Sequence, residues 1–421
     1  MSREISTRGK AMPASPIRRL APHADEAKRR GIRVLHLNIG QPDLPTPREI
    51  ADRLGEIRDR VLCYTPSTGT PEFLDSVRDY YQSQGIPLGD AGLLATTGGS
   101  EALLFALMAT CDPGDEVIVI EPFYTNYSAF AAMAGVRLVP VTSRGRDGFH
   151  LPPMHLWESA VSGRTRAVLI CNPNNPTGTV YTAEELSEVA GFCRRHDLFL
   201  ISDEVYREFA YDGRRPISAL TLEGMEDRVI VADSLSKRYN VCGIRLGMFV
   251  TRNQAASEAA LRMAQGRLSA PGIAQQIALG ARDLDQDYFD GVVSEYRKRR
   301  DVLFEGLNQI PGVFLLQPEG AFYFIARLPV VDSDDFAAWL LSEFSIDGET
   351  VMVAPATGFY ATPGLGTNEI RIAYVLEAEH LRRAIRIIAE GLAAYRSLRG
   401  IESIPLDEPS EKHRRTNLRT V

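Results

Sequence analysis

Between about residues 61 and 285, apolar runs of strand length alternate with longer stretches in which apolar residues recur at helical spacing. Four of the runs are apolar almost throughout: Glu116-Val117-Ile118-Val119-Ile120, Arg166-Ala167-Val168-Leu169-Ile170-Cys171, Leu198-Phe199-Leu200-Ile201-Ser202 and Arg228-Val229-Ile230-Val231-Ala232. A strand that is apolar on both faces is covered on both faces, so the pattern predicts a mainly parallel sheet flanked by helices. Residues 102–109 are almost continuously apolar and predict a buried helix, opened by Thr97-Gly98-Gly99-Ser100-Glu101.

Beyond residue 285 the pattern changes. Residues 290–308 predict an amphipathic helix, with Glu295-Tyr296-Arg297-Lys298-Arg299-Arg300 read as part of a solvated face. Short strands follow at 313–316 and 321–326, then a helix at 333–344, a strand containing Glu369-Ile370-Arg371-Ile372, and a final helix to about 397. That is the pattern of a smaller α+β domain. Residues 15–30 predict one short helix entered at Ser15-Pro16, with proline in its first position. The expected organisation is a mobile arm over 1–14, an N-terminal segment of the small domain over 15–60, a large domain over 61–285, a small C-terminal domain over 286–400 and a disordered tail over 401–421.

Candidate chemistry collects where the predicted strands of the large sheet end. They run into Pro122-Phe123-Tyr124, into Asn172-Pro173-Asn174-Asn175-Pro176-Thr177-Gly178, into Asp203-Glu204-Val205-Tyr206 and into Ser234-Leu235-Ser236-Lys237. Ligands of open parallel sheets bind at that edge, so four strand ends point to one crevice. The free N–H groups of Gly99, Ser100 and Glu101, at the positive end of their helix, suit a phosphate.

Composition narrows the class. A chain of 421 residues that is 44% hydrophobic is long enough to bury a large core in two domains. Its net charge of -7 gives no basis for a nucleic-acid or membrane partner. Five widely spaced cysteines lack metal-ligand spacing and read as reduced thiols. The chain shows neither a signal-peptide core nor the roughly 18 consecutive apolar residues of a membrane span, so cytoplasmic residence is the expectation. The histidines show no metal spacing, and His36, alternating with Leu35 and Leu37, reads as structural.

Three blocks in order carry a resemblance. Asn172-Pro173-Asn174-Asn175-Pro176-Thr177-Gly178, then Asp203 with Tyr206, then Ser234-Leu235-Ser236-Lys237 with Arg245 eight residues on, resemble the class I aminotransferases of fold type I, which carry pyridoxal 5′-phosphate. The resemblance runs over about residues 14–397 and is closest to the group labelled aspartate aminotransferase. It implies the α/β fold of that class, a large domain with a mainly parallel sheet plus a smaller α+β domain. It also implies Lys237 as the Schiff-base lysine and proton shuttle, and Asp203 as the partner of the cofactor's ring nitrogen. By the same resemblance Tyr206 and Asn175 bond the cofactor's 3′-oxygen, and Tyr124 stacks on its ring. Ser234, Ser236, Arg245 and the N–H groups of Gly99, Ser100 and Glu101 take the phosphate. Tyr64 matches a tyrosine that reaches the phosphate of the neighbouring subunit, which implies a homodimer with shared sites. Arg371, with its planar fork, and the backbone at Gly40 are implied to hold the substrate's α-carboxylate, together with Asn175.

The resemblance has departures. Some aspartate-using relatives carry a lysine where this chain has Ser100, and Arg18 or Arg19 stands either as its replacement or as an ordinary solvated helix charge. Ile244 precedes Arg245, where many relatives have tryptophan. The expected activity is amino transfer from an L-amino acid, with an aspartate-like donor, to a 2-oxo acid such as 2-oxoglutarate. An O2-dependent amino-acid oxidase or hydroxylase and a C–S or β-lyase are alternatives on the same cofactor. A ligand sensor is a third, but it needs a DNA-binding module that the short segments flanking the match are expected not to form.

Overall fold

The computed structural model describes residues 3–58 and 61–401, so the tail predicted over 401–421 lies outside the described residues apart from Ile401. Strands β1 (Arg33–His36), β2 (Gly92–Thr96), β3 (Glu116–Glu121), β4 (Arg137–Thr142), β5 (Thr165–Cys171) and β6 (Phe199–Asp203) are followed by β7 (Val229–Ser234) and β8 (Gly247–Thr251). The C-terminal part adds β9 (Tyr323–Arg327), β10 (Glu349–Met352), β11 (Ala354–Pro355) and β12 (Glu369–Ala373).

Seven strands form one sheet in the order β2-β8-β7-β6-β5-β3-β4. Only β8 runs against the others, pairing antiparallel with both β7 and β2. The central register aligns Leu169 with Ile201 and Ile201 with Ile230, and all three are buried. Two apolar layers result, one on each face of the sheet, which is why these strands read as unbroken hydrophobic runs. The sheet is of the α/β, fold type I kind. Gly247 starts β8 where a Cβ would lie 2.5 Å from the Gly98 carbonyl carbon and 2.7 Å from the Asp233 oxygen, so glycine lets the end of β7 meet the start of helix Gly98–Thr110.

A three-stranded antiparallel sheet, β11-β12-β9, and a parallel pair, β1-β10, make up the rest. Because β1 pairs with β10, the beginning of the chain joins its C-terminal third. The long helices Gln286–Asn308 and Ala378–Arg399 pack together beside them.

Several expectations are corrected. Residues 15–30 are not one helix but a 3-10 turn, Pro16–Arg18, followed by helix Ala21–Arg29. Pro22 lacks an N–H and its ring would clash with a preceding helical turn, so the helix restarts there. Residues 313–316 form no named strand, only the isolated bridge between Phe314 and Arg327. The stretch read as a mobile arm contains helix Thr7–Ala11, capped by Ser6. Arg299 and Arg300 are not on a solvated face: each is 2% exposed. Arg299 bonds Asp43, Glu295 and the Val375 oxygen, and Arg300 bonds Asp212 and the Pro318 oxygen.

Candidate active site

From β3 the chain passes outward to β4 and then returns to β5 on the other side of β3. That reversal opens a crevice at the carboxyl ends of β3 and β5, where the helices on either side diverge. A cavity of about 310 Å³ lies there, the size of a small-ligand pocket. Its inner wall is formed by Asp203 at the end of β6, Tyr206 just beyond, Asn175 after β5, and Ser234, Ser236 and Lys237 at the end of β7. Gly99, Ser100 and Arg245 close one side, Tyr124 another, and Gly40 and Arg371 the outer end.

Lys237 is in the helical turn Leu235–Arg238. Its Nζ donates to the Gly40 carbonyl at 2.7 Å and lies 3.5 Å from Cys242 Sγ. Burial lowers its pKa, opposed by Cys242 and reinforced by the positive charges of Arg245 and Arg371, so the amine loses its proton more readily than a solvated lysine. The sequence has five lysines, and Lys10, Lys28 and Lys298 are exposed ion-pair residues while Lys412 is outside the described residues. Lys237 is thus the one lysine in the cavity among the described residues.

The turn is fixed from behind by buried charges. Arg238 donates to both Asp233 oxygens at 2.8 and 2.6 Å and to Glu208 at 2.8 Å, and Tyr81 donates to Asp233 at 2.9 Å. Burial works against an ionised Asp233, yet Arg238 and Arg207 hold its pKa below the usual carboxylate range.

Asp203 forms the floor. It is 4% exposed, and burial pushes its carboxyl up to about 6 against the pull of Tyr127, whose hydroxyl donates to it at 2.7 Å. Asn175 Nδ2 donates to the Tyr206 hydroxyl at 3.4 Å, and that hydroxyl is 2.9 Å from the Tyr323 hydroxyl.

Arg371 lies in the interior of the three-stranded sheet. It is 1% exposed on β12, the middle strand of its sheet, with its guanidinium over the Tyr323 and Phe359 rings at 4.6 and 5.0 Å. Nη1 donates to Asn175 Oδ1 at 3.2 Å, Nη2 donates to the Asn38 oxygen, and Nε has no partner. Gly40 lies so close to Tyr323 that a Cβ would meet its hydroxyl at 1.6 Å, so only glycine fits where the chain passes over the outer end.

Comparison with known proteins shows the family. Residues 32–388 match the family described as aminotransferase class I and II. The chain belongs to that family. Among its relatives, an aspartate aminotransferase of Musicola paradisiaca is 30% identical over 93% of this chain and 98% of its own length. An aspartate/prephenate aminotransferase of Thermus thermophilus is also 30% identical, over 93% of this chain and 99% of its own. A solved alanine aminotransferase from Pyrococcus furiosus superposes with a TM-score of 0.84 at 27% identity, covering 93% of this chain and all of that one. The aminotransferase is accordingly a pyridoxal-phosphate-dependent enzyme. The oxidase or hydroxylase alternative finds no support in these relatives.

Two residues expected at the aminotransferase's site do not line the cavity. The Glu101 carboxylate turns back to cap the Thr97 N–H at 2.8 Å and pairs with Arg267 at 3.1 Å. Tyr64 is 80% exposed. Conversely, Ile17, Arg18, Asn126, Cys242 and Tyr323 line the cavity without having been assigned a place in it from sequence, Arg18 excepted as an open choice. Tyr323 sits in a strand of aromatic residues that looks like any core strand, so only its pairing with Tyr206 marks it. His36 bonds Asn38 Oδ1 at 3.3 Å and is not a lining residue.

Proposed function

We propose that the Lys237 cavity is where this aminotransferase binds pyridoxal 5′-phosphate and exchanges an amino group between an L-amino acid, with an aspartate-like donor, and a 2-oxo acid such as 2-oxoglutarate. The observation that carries this is a buried lysine of lowered pKa in the same cavity as a buried carboxylate and a buried arginine. When bound, the cofactor supplies an aldehyde that captures an amine and a ring that withdraws electrons from the amino acid's α-carbon.

The residues fit such a group. Gly99 and Ser100 open helix Gly98–Thr110, Ser234 and Ser236 bring hydroxyls 2.9 Å apart, and Arg245 crosses Gly98 so closely that a Cβ there would meet its Nη2 at 2.5 Å. That cup of helix-end donors, hydroxyls and guanidinium suits a phosphate. Asp203 is positioned to hold a proton on the ring nitrogen, where its ionised form is favoured by the opposite charge. Asn175 and Tyr206 offer hydrogen bonds to the ring oxygen, and Tyr124 offers a face. With the cofactor and an amino acid in place, Lys237 Nζ would take up the proton lost by the α-carbon as general base and release it again as general acid. The Gly40 carbonyl and Cys242 are the groups that orient that nitrogen. Arg371, which lines the cavity, takes the α-carboxylate with its guanidinium.

Tyr64 supports a dimer. Its exposed ring stands beside Val61 and Leu62, themselves 72% and 64% exposed, a stretch suited to cover by a second copy of the chain. In that dimer Tyr64 serves the phosphate in the neighbouring subunit's site. Cytoplasmic residence is kept as part of the same proposal, and among the described residues no helix is long and apolar enough to cross a membrane.

The test is to mix cofactor-loaded enzyme with a panel of L-amino acids, without acceptor, while following 2-oxo acid release and dissolved oxygen. One equivalent of 2-oxo acid per site with no oxygen loss is the expected result. Continuous release with oxygen uptake, or elimination products from β-substituted donors alone, would overturn it.

A further inference from the structure

We infer that the Tyr323 hydroxyl is a positioning group for the cofactor: it donates to the Tyr206 hydroxyl and so turns the single Tyr206 proton toward the cofactor's ring oxygen. This rests on the assignment of the Lys237 cavity made above. Tyr206, Asn175 and Tyr323 all line that cavity, and the two tyrosines are 4% and 2% exposed. A phenol offers one proton and accepts through its lone pairs, so the direction of each hydrogen bond decides where the Tyr206 proton points.

The directions start from a group that cannot accept. Arg371 has only N–H groups to offer, and its Nη1 donates to Asn175 Oδ1 at 3.2 Å. That contact fixes the amide, so its Nδ2 end faces Tyr206 and donates to the hydroxyl at 3.4 Å. The other hydrogen-bond partner of the Tyr206 hydroxyl among the described residues is the Tyr323 hydroxyl, 2.9 Å away. Tyr323 has one further acceptor among them, the Gly40 carbonyl, but at 3.5 Å that bond is near its limit, and the same carbonyl already takes Lys237 Nζ at 2.7 Å. Burial raises both phenols above the usual tyrosine range, and the Arg371 guanidinium, 4.6 Å from the centre of the Tyr323 ring, pulls Tyr323 back. The more acidic of two phenols is the better donor, so the Tyr323 proton goes to Tyr206. With Asn175 and Tyr323 both donating to it, the Tyr206 oxygen keeps its own proton for the cavity. Packing holds the pair in register: the two rings meet edge to face with centroids 5.5 Å apart, and Gly40 covers the Tyr323 hydroxyl with no room for a Cβ.

A proton donated to the ring oxygen stabilises its negative charge, and the oxygen then holds a neighbouring proton less firmly. Losing the donor therefore moves the pH midpoint of the bound cofactor's absorbance change upward. Wild type, Tyr323→Phe, Tyr206→Phe and the double variant would each be loaded with pyridoxal 5′-phosphate and titrated by absorbance, with no substrate present. Tyr206→Phe is expected to raise the midpoint by about one pH unit or more, and Tyr323→Phe by about half as much, since the donor stays but is no longer turned. The double variant should match Tyr206→Phe, because Tyr323 acts through Tyr206 and has nothing left to turn. A Tyr323→Phe midpoint equal to or below that of wild type, or a Tyr323→Phe shift of the same size in the Tyr206→Phe background, overturns the inference and leaves the cavity assignment standing. A Tyr323→Phe protein that fails to fold, read from urea denaturation of the apoprotein, or that folds and takes up no cofactor, shows that the hydroxyl serves the structure instead and overturns it as well. A wild type that binds no cofactor, or a Tyr206→Phe midpoint equal to wild type, overturns the assignment itself, and this inference with it.

Discussion

At the inner end of the cavity, Asp203, Ser234, Ser236 and Lys237 stand on strand ends or the turns that follow, and their polar atoms are engaged by near neighbours. At the outer end, Arg18, Gly40, Tyr323 and Arg371 come from opposite parts of the chain, and two of the four keep donors unpaired among the described residues. The inner end is closed upon itself and backed by the Asp233–Arg238–Glu208 charges; the outer end is held open for something else to complete. A cofactor that is always the same needs a fixed cradle, while substrates that come and go need groups whose partners arrive with them.

Substitutions at the two ends therefore have different signatures, and Lys237 carries the largest. Lys237→Ala is expected to lower turnover by about 10⁴-fold or more, because the proton carrier is removed. Activity within tenfold of wild type would place the chemistry elsewhere.

Next comes the backing of the inner end. Arg238→Met leaves Glu208 buried without its cation and Asp233 with Arg207 alone, at a cost of about 3–5 kcal/mol. Chemical denaturation should show a lower midpoint of that order, and an unchanged midpoint would show the charges are not what fixes the Lys237 turn.

Asp203→Asn sharpens the contrast through pH. Turnover is expected to fall by about 10²–10³-fold, since the electron sink loses its charged partner. In the cofactor-free protein, burial raises Asp203 from 3.8 to about 6, so the folded state holds that proton more tightly than the unfolded chain. The stability this contributes is full below about 4 and is lost as pH rises through about 6. Unfolding of the apoprotein should show that loss, and Asp203→Asn should flatten it. Capture of pyridoxal phosphate, which calls for the carboxylate, should weaken below about pH 6 in wild type.

The smallest of these effects belongs to the outer end. Arg371→Lys keeps the charge but not the fork, and should cost about 10- to 100-fold in kcat/KM with little change in cofactor affinity. Loss of the cofactor instead would move Arg371 to the inner end.

The same division governs what the sequence reveals. The inner residues lie in short contiguous blocks at the ends of hydrophobic strands, so pattern and motif coincide at Asn175, Asp203 and Lys237. Tyr127 and Tyr323 join the site only through the pairing of distant strands and helices, and in sequence they are ordinary core aromatics. The antiparallel strand β8 and the short β10 and β11 escaped for a related reason: their apolar runs are brief, and only their pairing defines them. Arg299 and Arg300 misled in the other direction, because a run of charges on a helix says nothing about acids and carbonyls brought to it from elsewhere. Pro22 did carry a signal, a second proline six residues after Pro16, which marked the break in the first helix.

The most direct test of the central claim is to load the protein with pyridoxal 5′-phosphate, reduce it with borohydride and map the peptide that retains the cofactor. A single modified residue, Lys237, is the predicted result; modification at Lys10, Lys28 or Lys298 instead, or no attached cofactor at all, would contradict the account.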